Sequence, residues 1–207
     1  MSQINLNKVF SPSQAGIPGP NIDIASNGNM SMDTDTVFVD STNDRLGIGT
    51  SSPARTLDIQ QFGGISFNAG LIFEDCTISG TAMNGTVNHD VETANAGYYN
   101  SVSGNWTYNI RWDSGTRLDS KMSTGEMICV SYTVPVTGSS YYQTGFQIDG
   151  SSKTVQWVNN LTPVQGGGRE SGDDAATTGF DVYSFAINKY SSNAFYVLGS
   201  HTHFGAY

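Results

Sequence analysis

The chain has 207 residues and a mass of 22.1 kDa, room for one good-sized domain or a domain with a short appendage. Nine Lys plus Arg against eighteen Asp plus Glu give a formal charge of −9, and no basic cluster stands anywhere, which excludes a phosphate-contacting nucleic-acid surface. With 13% charged residues, ten Tyr, ten Phe and three Trp, the composition is that of a packed chain rather than a disordered one.

Two cysteines, Cys76 and Cys129, have no close spacing, so a disulfide framework and a four-cysteine metal site are both excluded, and each thiol is read as a small buried apolar group. The first twenty residues hold no apolar run of signal-peptide length, and no window approaches the ~18 apolar residues of a membrane span. A soluble chain, neither inserted in a membrane nor exported by a cleaved signal, is expected.

Residues 1–22 carry Pro12, Pro18 and Pro20 with Gly16 and Gly19, and proline removes backbone donors, so an extended arm is expected. Residues 23–65 hold short apolar patches, among them Ile22 and Ile24, Val37 to Val39, Leu46 and Ile48, and Leu57 and Ile59, separated by polar turns. The run Asp40 to Arg45 between two of these patches predicts a hairpin, with Asn43-Asp44 available for positive φ. Helical periodicity is nearly absent; its best stretch is the short Arg117 to Met122.

From about Ile65 the apolar segments lengthen and alternate. In WTYNIRW, Trp106, Tyr108, Ile110 and Trp112 alternate with Thr107, Asn109 and Arg111, giving one apolar and one polar face. Repeated segments of this kind, broken by Ser, Thr, Asn and Gly, predict an antiparallel, jelly-roll-like β-sandwich over 66–207. The Gly-rich run Val164 to Gly179 predicts a long surface loop.

The segment GIGTSSPARTLDI, Gly47 to Ile59, looks at first like a phosphate-cradling loop. Such a loop needs a strand leading straight into a helix whose amides face the anion. Pro53 stands where that helix would be under way, no Gly-Lys-Ser/Thr follows, and TLDI alternates as a strand does. It is not a P-loop.

The phrase VFVDSTNDRLGIGTSSPARTLDI, Val37 to Ile59, instead resembles a module of tail-fibre and other virion proteins of bacteriophages, especially marine and cyanobacterial phages. Downstream, GTVNHDVETANAGYYNSVSGNWTYNIRWDSG, YYQTGFQIDGSSKTVQWVNNLTP and FDVYSFAINKYSSNAFYVLGSHTHF are similar, in that order, to the C-terminal β head of those proteins. The resemblance covers roughly residues 30–205. It implies a virion structural protein, assembled in the host cytoplasm and normally a homotrimer.

On that basis residues 1–22 are expected to be an arm attaching to other virion proteins through Val9, Phe10, Pro12, Ile17 and Pro18. Residues 23–65 would form a thin trimeric shaft, in which the apolar patches of three copies meet, since isolated hairpins are marginal in water. Residues 66–207 would form the head that touches a host surface glycan or protein. The alternative is a capsid or tail decoration protein that stabilises the particle without binding a receptor.

In SHTHF, His201 and His203 stand two apart, so on a strand both imidazoles point to one side. In a trimer, three such pairs near the axis would suit a transition-metal ion, and some phage fibre tips resemble this; no other cofactor is expected. Receptor contact is expected at Arg169, Glu170, Asp173 and Asp174 in the Gly-rich loop and at Tyr141 and Tyr142, with Trp157 a further ring able to stack on a sugar. His89, beside Asp90 and Glu92, is read as an isolated turn histidine. The carboxylate pairs Glu74 with Asp75, Asp113 with Asp119, and Glu170 with Asp173 and Asp174 lack the further residues a glycosidase needs, and no enzyme is expected.

Overall fold

In the computed structural model, residues 8–10, 21–32, 36–60, 74–137, 141–164 and 178–205 are described. The chain is all-β and divides into two compact units, Met1–Gly70 and Leu71–Tyr207.

The first unit is a six-stranded sheet of short strands in chain order: β1 (Lys8–Phe10), β2 (Asn21–Ile24), β3 (Met30–Met32), β4 (Val37–Asp40), β5 (Arg45–Ile48) and β6 (Leu57–Ile59). The first five strands pair antiparallel and β6 joins β5 in parallel. Because β1 pairs with β2, the sheet begins inside the 1–22 arm. The hairpin between β4 and β5 forms as its residues dictate. Asp40 Oδ1 accepts from the Thr42 and Asn43 amides at 3.0 and 3.2 Å, and Asp44 takes φ 54°.

The second unit is a sandwich of two sheets. Its strands are β7 (Cys76–Ser79), β8 (Met83–Asp90), β9 (Ala96–Tyr99), β10 (Val102–Arg111), β11 (Met127–Thr137), β12 (Gln143–Ile148), β13 (Ser151–Ser152), β14 (Val155–Trp157), β15 (Thr178–Ser191) and β16 (Ala194–Phe204). One turn of helix, α1 (Leu118–Lys121), falls within the stretch whose sequence is helical. The four-stranded sheet runs β13-β12-β10-β8 and the six-stranded sheet β14-β16-β15-β11-β9-β7.

The head is not antiparallel as the sequence suggested. Strand β10 lies parallel to both β8 and β12, β9 parallel to β7 and β11, and β14 parallel to β16; only the β11–β15–β16 block and the short β12–β13 pair are antiparallel. Parallel neighbours need a crossover between them, and here the connections pass from one sheet to the other instead of closing local hairpins.

Between the sheets lies one aromatic core. Trp106, Tyr108 and Ile110 of β10 are buried on one side, as their alternation requires, against Tyr132, Tyr183 and Phe185 of the other sheet. Tyr132 and Tyr183 stack with centroids 4.8 Å apart, and Trp106 meets Tyr183 edge-on at 5.9 Å. His89 is in this core too, on strand β8 rather than in a turn. Its Nε2 donates to the Ala94 carbonyl at 2.8 Å and its ring lies 5.5 Å from Tyr108.

Candidate functional site

The open edge of the sandwich forms a groove of about 350 Å³ between β12 and β14, walled by Tyr142, Gln143, Thr144, Lys153, Trp157 and Val164. Strand β13 pairs only with Gln147 and Ile148 of β12, so among the described residues the outer edge of Gln143–Gly145 carries no partner strand. Its amide and carbonyl groups are therefore available to a ligand. Lys153 is held at the groove by donating from Nζ to the Asn193 carbonyl at 3.0 Å, with its ammonium 5.6 Å from the Phe195 ring centroid.

Trp157 is fixed by packing. A Cβ on Gly199 would come within 2.9 Å of its ring, so only glycine lets the indole lie against β16. Phe185 supports it edge-on at 5.8 Å. Of the residues singled out from sequence, Tyr142 and Trp157 thus share one groove, beside Val164, the first residue of the Gly-rich run. Tyr141 is exposed next to it. Arg169, Glu170, Asp173 and Asp174 lie outside the described residues, as do Pro12, Ile17 and Pro18; Val9 and Phe10 belong to β1.

His201 and His203 do point to one side of β16, and that side is the inner one. Both imidazoles converge on Asp181 of β15, a carboxylate 2% exposed. His203 donates from Nδ1 to Oδ1 at 2.8 Å, and His201 Nε2 lies 3.2 Å from Oδ2. The His201 ring stacks on Tyr183 at 4.4 Å. A buried carboxylate needs such partners to offset its desolvation. Among the described residues, no group of three or more His, Cys, Asp or Glu side chains is arranged to hold a metal ion.

The carboxylates weighed for catalysis bind their own surroundings. Asp113 accepts from the Gly115 and Thr116 amides, each at 2.6 Å, and these bonds hold its pKa below the ordinary carboxylate value. Asp119 pairs with Lys189 Nζ at 2.9 Å and accepts from the Asn193 amide at 2.7 Å. Glu74 accepts from Asn95 at 3.4 Å.

The two outer faces of the second unit differ sharply: the polar one was read from the alternation of Thr107, Asn109 and Arg111, and the uncharged one was missed. On the four-stranded sheet the outward residues are polar: Asn109 donates to Asn88 at 2.7 Å, and Arg111 pairs with Asp90 at 2.5 Å. The outward positions of the six-stranded sheet follow from its register: Ile78, Tyr98, Thr133, Val182 and Thr202 form one row, Cys76, Ala96, Ser131, Ser184 and Ser200 the next, and Cys129, Ala186 and Leu198 the row beyond. No Asp, Glu, Lys, Arg or His occupies any of them among the described residues. Ile78 is 75% exposed and Leu198 49%.

Neither a family model, nor a curated protein, nor a solved structure matches the chain.

Proposed function

We propose that the chain is a bacteriophage fibre or fibre-like virion protein, a homotrimer whose β head contacts the host cell surface. The observation that carries this reading is the one-sidedness of the first unit's sheet. Its cross-strand pairs align Met30 with Val39, Leu46 and Leu57 in one row, and Val37 with Ile48 and Ile59 in the next, all on one face. The opposite face takes Ser31, Phe38, Gly47 and Asp58. Leu57 is 51% exposed, and Leu46, Ile48 and Ile59 are exposed beside it. A thin sheet of three- and four-residue strands with an uncovered apolar face gains most by meeting further copies of itself, as a fibre shaft does.

The groove of Tyr142 and Trp157 is the host contact that this reading assigns. Aromatic rings, an unladdered strand edge and a fixed ammonium suit a carbohydrate or a protein segment, and three copies raise a weak contact by effective concentration.

Adsorption of the purified full chain to host cells tests the reading. A fibre binds the cells and competes with the virion for them, and Trp157→Ala weakens that binding at least tenfold. A capsid or tail decoration protein binds assembled particles and leaves adsorption untouched.

A further inference from the structure

The outer face of the six-stranded sheet mixes uncharged Ser and Thr with exposed large apolar side chains, unlike its charged counterpart on the four-stranded sheet, and such an apolar patch marks an interaction surface. We infer that this face is where a second copy of the chain packs against the head. It supplies the self-assembly of the proposed fibre with a specific surface in the second unit and rests on that reading.

Charge favours this face for contact between copies of the chain. Each chain carries a formal −9, so two identical heads repel wherever their acidic surfaces meet. Among the described residues the strands β14, β16, β15, β11, β9 and β7 place no charged side chain on this face; the one carboxylate lining its recess, Glu74, accepts from Asn95 at 3.4 Å, so repulsion there is low.

Size agrees. At about 4.8 Å between strands and about 3.3 Å per residue, the six strands cover roughly 750 Å², close to the ~800 Å² that each partner gives to a stable interface. Composition agrees as well: Ile78, Met127, Phe180, Tyr196, Leu198 and Phe204 all stand exposed on it. These are the aromatic and aliphatic types that dominate interface cores.

The face also has relief. Ser131, Ser184, Ala186 and Ser200 are small and lie side by side on three adjacent strands. They floor a recess of about 660 Å³, with Leu198 and Val158 on its apolar wall and Glu74, Asn95 and Gln156 on its polar one. A flat patch excludes water poorly, whereas a recess beside projecting side chains gives a partner's apolar side chain a place to be fully desolvated.

Cys129 reports on this face directly, since it is exposed in the single chain and lines the recess. The test uses the full chain carrying Cys76→Ser, which leaves Cys129 as the single thiol, and a bulky maleimide as the probe. In the native protein Cys129 is expected to label at least tenfold more slowly than in denaturant. Adding Leu198→Asp restores labelling, with tryptophan emission reporting that the head remains folded, and it does so whether or not the first unit still holds the copies together.

Native labelling as fast as in denaturant overturns the inference, whatever the mass. Protection in a protein whose mass is that of one chain overturns it too, because the cover then comes from within the chain. Failure of host adsorption with Cys129 protected in a multimer removes the receptor reading and leaves this interface standing.

Discussion

Trp106 donates its indole N–H to the phenol oxygen of Tyr132 at 2.9 Å, and so ties the four-stranded sheet to the six-stranded one through the middle of the core. The same hydroxyl donates onward to Gln143 Oε1 at 2.6 Å, back on the four-stranded sheet. All three side chains are buried.

Tyr132→Phe keeps the ring stack and removes both bonds, leaving a buried N–H and a buried amide oxygen unpaired. A loss of about 1–3 kcal/mol is expected. Denaturant unfolding followed by tryptophan emission measures it, since Trp106, Trp112 and Trp157 all lie in the second unit. A change under about 0.5 kcal/mol, the range of ordinary surface substitutions, would show that the relay contributes little.

His89 makes stability depend on pH. Burial lowers its pKa below the ordinary 6.5, outweighing the Ala94 carbonyl and the Asp90 charge, which favour the protonated form. The unfolded chain therefore takes a proton near pH 6.5 while the folded chain still resists it. The stabilising effect of the neutral ring is complete above that pH and declines as pH falls toward the folded value. His89→Gln is expected to be less stable near neutrality and to flatten the stability profile between about pH 7 and pH 5. An unchanged slope in that window would contradict the assignment.

Asp149 does two jobs that can be separated. It stands at φ 53° with Gly150 at 76°, the backbone of a tight β12–β13 hairpin, and its carboxylate accepts from the Leu118 and Asp119 amides at 2.7 and 3.0 Å. Asp149→Asn keeps the left-handed backbone and one acceptor, whereas Asp149→Ala loses both. The alanine variant is expected to cost about 1–2 kcal/mol and the asparagine variant less than half of that, by thermal unfolding. Equal costs would mean that the amides of α1 do not depend on this carboxylate.

In the first unit, Ile48→Asp places a charge in the row formed by Val37 and Ile59. If that face is covered by other copies, the substitution lowers the native mass and opens residues 23–65 to limited proteolysis, with tryptophan emission of the head unchanged. An unaltered mass and cleavage pattern would show the face to be open to water.

What the sequence revealed about this fold is mostly local. Alternation around Trp106, Tyr108 and Ile110 identifies both the strand and its buried side, and Asn43-Asp44 marks a hairpin because few residues accept positive φ. The parallel pairings leave no such mark. Strands β8, β10 and β12 find one another across crossovers, and nothing in the alternation of any one of them encodes its neighbour's direction.

The sites divide in the same way. The spacing of His201 and His203 correctly places them on one side of a strand, but their common partner Asp181 is 22 residues upstream of His203, so which side they face is settled by tertiary packing. His89 reads as a turn residue because Asp90 and Glu92 follow it, and its burial depends on Tyr108 from another strand. The uncharged outer face was present in the sequence as the charge-free runs around Cys129, Ser184 and Leu198. It becomes a face only when the register brings those runs together.

Light scattering of the full chain gives its native mass, on which the fibre stands or falls. The homotrimeric fibre requires a mass three times the 22.1 kDa of one chain, held on dilution through the working concentration range. A mass of 22.1 kDa would contradict it, and with it the shaft, the contact between heads and the avidity of three grooves.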